Sequence, residues 1–257
     1  MTTLIRFFLS LFGLAIRKPA KLGEAWTGYG PVNRWHEINA GWIGKLARNG
    51  IKVAHIELLS WAASSRYHDP DSIADRYRDL VRACRMYGVT LLVSIVNDNK
   101  GSSKYGDDGH PASAYMDEIM QAINIVSREG RDCVWVQPVG ETQTAAGRQV
   151  EQLCLQHLSG FTLIYNGGSR PAGAPPGFDG FAIHPESIGR MPPAGAIVVT
   201  DHSRILAELQ NGNLYGTANR EVLASYARII TDRGNAIIHY GFWHPEADDN
   251  SIEALSR

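Results

Sequence analysis

Eight short apolar runs recur along the chain, and most of them end on polar or charged residues. They cover residues 24–27, 51–60, 89–96, 132–139, 161–166, 178–184, 196–200 and 235–239. Short runs rich in Val, Ile and aromatic residues, bounded by Gly, Pro, Asn or Asp, read as β-strands. Between most of them the apolar residues fall at helical spacing. The first such segment, 33–48, is predicted to be capped by Asn33 and carries Trp35, Ile38, Trp42, Ile43 and Leu46. The second opens at Asp69-Pro70-Asp71-Ser72 and runs to Gly88. Others are predicted at 111–129, 144–158, 205–209 and 219–233, and a last turn or two at 248–256. Asp, Asn or Ser before such a run caps the free N–H groups of a helix start. Asn49-Gly50 and Gly130 supply stops. The Pro/Gly-rich stretch 167–177 has no helical pattern and reads as a shortened connection or a loop over one rim.

Neighbouring parallel strands need a crossover of about a dozen residues, which a helix of this length provides. Eight strands alternating with helices in 257 residues predict an α/β protein, a single (β/α)8 TIM barrel. An open doubly wound sheet is expected to carry a glycine-rich phosphate turn after its first strand. Neither GxGxxG nor GxxxxGK occurs.

Composition narrows the function classes. Hydrophobic residues make up 44% and charged residues 20%, enough apolar content for a sizeable core. The net charge is -1 with no Lys/Arg run, which argues against a nucleic-acid partner. The three cysteines, Cys84, Cys133 and Cys154, are far apart and form no CxxC, so buried structural thiols are expected. No motif calls for a cofactor or a metal. Residues 4–16, opening on Leu4 and closing on Ile16, are apolar except for Arg6 and Ser10, and Arg17-Lys18 follow. This run is shorter than the ~20 apolar residues a spanning helix needs. It reads as an anchor or interfacial helix, a segment docked on a partner or on the barrel, or a signal peptide. The organisation expected is therefore a leader, 1–22, and a barrel, 23–257. A membrane surface or a protein partner is expected at the leader, and an extracellular or assembly-associated location is favoured.

In a barrel of parallel strands, the chemistry sits at the C-terminal strand ends. Read in order, those ends carry Glu57 and Trp61; Asn97, Asp98 and Asn99; Gln137 and Glu141; and Tyr165 and Asn166. The later strands add His184 and Glu186; Asp201 and His202; and His239, Trp243 and His244. The opposite ends begin on Ile51, Val89, Phe161 and Phe178 and are far less polar. His55 and Glu57 share one strand face, where a paired structural role inside the barrel is expected.

A carboxylate after the fourth strand, another after the seventh and a Trp after the eighth resemble the clan of retaining (β/α)8 glycoside hydrolases. The resemblance is positional and covers about residues 23–245. It implies Glu141 as acid/base and Asp201 as nucleophile or base. It also implies that Trp243 floors the sugar site and that His184 stands near it. Asn97, Asp98, Asn99, Gln137, Asn166, His202, His239, Glu57 and Trp61 are then candidates for binding the carbohydrate. Where the clan usually has Asn before the acid/base, this chain has Gly140. Where it usually has a Glu nucleophile, this chain has the shorter Asp201, which leaves retention and inversion both open. Such an acid needs a raised pKa, from apolar walls or a second carboxylate. Trp135, Phe242 and Trp243 are the expected walls.

Two other classes fit the same residues. One is a non-catalytic carbohydrate-binding or structural barrel in a larger assembly. The other is a metal-dependent hydrolase using His55, Glu57, His184, Asp201, His202 and His239, although neither an early HxH nor HExxH occurs.

Overall fold

The computed structural model describes residues 19–22, 24, 26–30, 38–59, 70–97, 116–140, 144–167, 174–183, 197–200 and 236–240. At 197–200 and 236–240 the description is of the backbone. Eight strands appear in chain order: β1 (Thr27–Gly30), β2 (Val53–Glu57), β3 (Thr90–Asn97), β4 (Val134–Gly140), β5 (Thr162–Asn166), β6 (Gly180–Ile183), β7 (Ile197–Thr200) and β8 (Ala236–Tyr240). Each pairs in parallel with the next. The β1–β8 ladder, Thr27↔Ile237 to Gly30↔Tyr240, closes the ring. Among the described residues four helices lie between the first five strands: α1 (Ala40–Arg48), α2 (Pro70–Tyr87), α3 (Met116–Ser127) and α4 (Ala145–His157). The α/β class with a parallel sheet is thus observed.

Alternation of strand side chains splits the core in two. Ala54, Ile56, Leu91, Val93, Ile95, Val134, Val136, Leu163 and Phe181 face outward and pack with the helices. Trp26, Val53, Leu92, Trp135, Ile164 and Ala182 form a separate cluster inside the ring. Ala20 and Leu22, counted above with the leader, belong to this inner group. The Ala20 N–H donates to Thr90 Oγ1 at 2.9 Å, which ties the entering chain to β3. Residues 1–18, with the run from Leu4 to Ile16, lie outside the described residues. No helix among the described residues is long and apolar enough to cross a membrane.

Two expectations need correction. The first strand is Thr27–Gly30 and not 24–27. Its two glycines hide it from propensity, whereas the ladders to β2 and β8 impose it. Glu24 instead turns back, its N–H reaching Lys21 O at 3.3 Å. Helix α1 is capped by Asn39 and not by Asn33. The Asn39 side chain accepts from the Trp42 N–H at 3.2 Å, with the cap backbone extended. Asn33 itself lies outside the described residues. Thr144 caps α4 in the same manner, through the Gly147 N–H at 3.1 Å.

The stop after α3 is sharp. Gly130 has φ +105°, and a Cβ there would meet Val134 Cγ2 at 2.5 Å and Tyr77 Oη at 3.1 Å. The turn is braced by Val134 N–H to Gly130 O at 2.7 Å and by Tyr77 Oη to Glu129 O at 3.0 Å. A Cβ would be strained in both backbone and packing. Gly130→Ala is therefore expected to cost about 2 kcal/mol. Thermal unfolding should show Tm lower by about 5 °C, and an unchanged Tm would contradict the strain.

All three cysteines are buried and free, as expected for structural thiols. Burial pushes their thiols up, that of Cys133 to about 12, so the reactive thiolate is suppressed. A thiol reagent at neutral pH should find none of them in the native chain and all three after unfolding. Fast reaction of any one in the folded chain would contradict their burial.

Candidate active site

Climbing the barrel interior from its N-terminal end, the lining changes from apolar to polar. The floor is aromatic: Trp26 and Trp135 pack at 5.2 Å between ring centroids, tilted by 48°. Trp135 was expected as a wall beside Glu141, and this is a correction. It lies six residues back along β4, or about 20 Å of extended strand. Val53, Leu92, Ile164 and Ala182 complete this level. Two residues further along their strands, the same parity brings His55, Ser94, Gln137 and Asn166 to the interior, with Glu57 one step beyond His55. All five are at least 96% buried.

Three of these side chains are joined. His55 Nε2 lies 2.8 Å from Ser94 Oγ, and Gln137 Nε2 donates to the same oxygen at 2.9 Å. The bonds stitch β2, β3 and β4 together from inside. Gln137 Oε1 is buried without a hydrogen-bond partner. Burial lowers the His55 pKa from its usual value to about 3, because the imidazolium would lose its hydration. The ring is therefore neutral at ordinary pH and its bond to Ser94 is an uncharged one. Ser94 was not singled out from sequence, although a lone Ser in the centre of VTLLVSIV is the signal that marks it.

Of the residues named from sequence, Glu57, Gln137 and Asn166 are brought to this interior level, next to His55. Asn97 ends β3 and pairs with Gly140. His239 pairs with Tyr29 and Thr200. Tyr29 packs in the outer core beside Trp42, ring centroids 6.3 Å apart. Tyr240 pairs with Gly30. Trp61, Asp98, Asn99, Glu141, His184, Asp201, His202 and Trp243 lie outside the described residues. Glu141 directly follows the buried Gly140 that ends β4, and Asp201 directly follows Thr200 that ends β7. Only β5 and β6 separate those two strands in the ring. Among the described residues, no group of three or more His, Cys, Asp or Glu is placed to hold a metal ion.

No protein-family model and no curated protein matches the sequence. Solved structures do. A complex of the family 5 glycoside hydrolase PbGH5A from Prevotella bryantii B14 with a xyloglucan tetradecasaccharide aligns over 91% of this chain and 96% of that one, with TM-score 0.59 and 12% identity. The endo-beta-1,4-mannanase from Thermotoga petrophila aligns over 91% of this chain and 76% of that one, with TM-score 0.56 and 9% identity. A variant of the alpha-L-fucosidase AlfC aligns over 88% and 79%, with TM-score 0.57 and 14% identity. At these identities the likeness is one of fold, and the fold is the one these glycoside hydrolases share.

Proposed function

We propose that the chain is a glycoside hydrolase that cleaves a glycosidic bond in an oligo- or polysaccharide, at the C-terminal mouth of a complete (β/α)8 barrel. The observation that carries this reading is the interior gradient, from the Trp26–Trp135 floor to the buried His55, Ser94, Gln137, Glu57 and Asn166 below the mouth. A purely structural interior is cheaper to fill with apolar side chains, since each buried polar group must be satisfied. The solved neighbours support the same reading, because one of them is a complex with a xyloglucan oligosaccharide.

In the reaction, the bond from the anomeric carbon to the leaving oxygen breaks, and Glu141 gives that oxygen its proton. Asp201 either bonds to the anomeric carbon before water replaces it, or takes the proton of a water that attacks directly. One water is consumed in either case: by the first route Glu141 recovers its proton from that water, and by the second Asp201 ends protonated and Glu141 ionised, so a proton returns through solvent before the next turnover. The reading requires the alternation of β4 and β7 to carry one residue further, which turns both carboxylates inward. Trp243 stacks on the sugar and His184 lines the same mouth. The apolar run from Leu4 to Ile16 holds the enzyme at a membrane surface or in an assembly, outside the cytoplasm.

The test is release of reducing sugar from xyloglucan, cellulose and mannan by the purified chain. Release from at least one is expected, and none from an extended glycan panel would overturn the reading. Gly140, in place of the clan's usual Asn, favours the second reading of a barrel that binds carbohydrate without cleaving it. Saturable binding of a glycan that is never hydrolysed would establish that instead.

A further inference from the structure

The end of β4 is held unevenly. Its ladder to β5 contains Trp135↔Thr162 and Val136↔Leu163 and goes no further. Beyond that point β3 is the neighbour that pairs with it, at Val96↔Val139 and Asn97↔Gly140. Even that register passes over Pro138, which has no N–H to give. Gln137 stands at the foot of this one-sided segment. Its side chain is tied inward to Ser94 Oγ at 2.9 Å, and Ser94 is tied to His55 at 2.8 Å. Gln137 and Ser94 are 1% and 2% exposed, so water is not at hand to replace a lost bond. Three residues separate Gln137 from Glu141, and the last of them is Gly140, the most permissive residue for backbone rotation. With so permissive a residue next, the direction in which β4 leaves the barrel rests on the β3 ladder and on the inward bond at Gln137.

We infer that Ser94 is a positioning residue: through its bond to Gln137 it fixes the direction in which β4 leaves the barrel, and so the place of the Glu141 carboxyl at the scissile oxygen. The inference rests on the reading of Glu141 as the acid. Ser94 itself touches neither substrate nor the reacting atoms. An acid displaced by about 1 Å loses on the order of a hundredfold in rate. The loss falls only on substrates whose leaving oxygen needs a proton.

The test compares kcat/KM on the glycan that the wild-type chain hydrolyses with kcat/KM on a dinitrophenyl glycoside of the same sugar. The dinitrophenolate departs without protonation, and kcat/KM reports this first step whether or not an intermediate follows. Ser94→Ala is expected to lose roughly ten- to a hundredfold on the glycan. It should stay within about threefold of wild type on the aryl glycoside, the allowance of a group that acts only on proton transfer. Ser94→Thr, which keeps the hydroxyl, should restore most of the glycan activity. Equal losses on both substrates, or no loss on either, would overturn the inference. If Ser94→Ala shows no cooperative unfolding transition, Ser94→Cys, which nearly keeps the size of the side chain but offers Gln137 only a weak acceptor, takes its place in the same comparison, with the same expected outcome. Glu141→Gln run alongside separates the two levels. If it retains wild-type activity on the glycan, or if the wild type hydrolyses no glycan, the reading of the site falls and the inference with it. If it is inactive while Ser94→Ala is indistinguishable from wild type, only the inference falls.

Discussion

Glu141→Gln is expected to lower hydrolysis of the natural glycan by about 10²–10⁴-fold, the usual contribution of a positioned general acid. Gln has nearly the same shape as Glu and cannot give a proton to the leaving oxygen. The loss should appear in kcat/KM on the glycan and be far smaller on a dinitrophenyl glycoside. Thermal unfolding should be little changed, because Glu141 follows β4 and the strand's ladder to β3 ends at Gly140. Turnover of the glycan at the wild-type rate would remove Glu141 from the mechanism. Asp201→Asn should lose activity on both substrates, since the attacking group is needed whatever the leaving group.

The second large effect is on stability in acid. His55 is 2% exposed, and burial lowers its pKa from 6.5 to about 3. In the unfolded chain the ring takes a proton near its usual pKa, so the unfolded state binds more protons than the native state between these values. Stability from this group is therefore complete above about pH 6.5 and is lost as the pH falls toward about 3. At about 1.4 kcal/mol per unit, roughly 2 kcal/mol is gone by about pH 5 and up to about 5 kcal/mol below about pH 3. Urea unfolding of the wild type at about pH 8 and pH 5 should show this loss, and His55→Gln should lose about 2 kcal/mol less over the same interval. Parallel curves for the two proteins would mean that His55 is not held neutral in the native barrel.

Much of the barrel was legible because its strands are buried on both faces. Runs such as VTLLVSIV and FTLIYN show their length and limits directly, and β2 to β8 lie within a few residues of the expected positions. Helix stops were legible where a left-handed residue is required, as at Gly50 and Gly130. Strand β1 was misplaced because TGYG has little propensity of its own, and its pairing partners come from β2 and β8. The start of α1 was misplaced because Asn33 and Asn39 offer the same local cue, and the first-turn geometry selects Asn39. At the site, inward parity was legible for Glu57, Gln137 and Asn166. The role of Ser94 was not, since it depends on the register between three strands. Distance along the barrel was also invisible in sequence: Trp135 stands at the second position of β4, whereas Glu141 comes only after Gly140 has ended the strand.

The most direct measurement is the separation of the Glu141 and Asp201 carboxyl groups in a crystal structure with an oligosaccharide bound. The two should flank one glycosidic bond, at ~5–5.5 Å if the anomeric configuration is retained or ~6.5–9.5 Å if it is inverted. Carboxyl groups that open onto different surfaces, or a sugar bound away from both, would contradict the account.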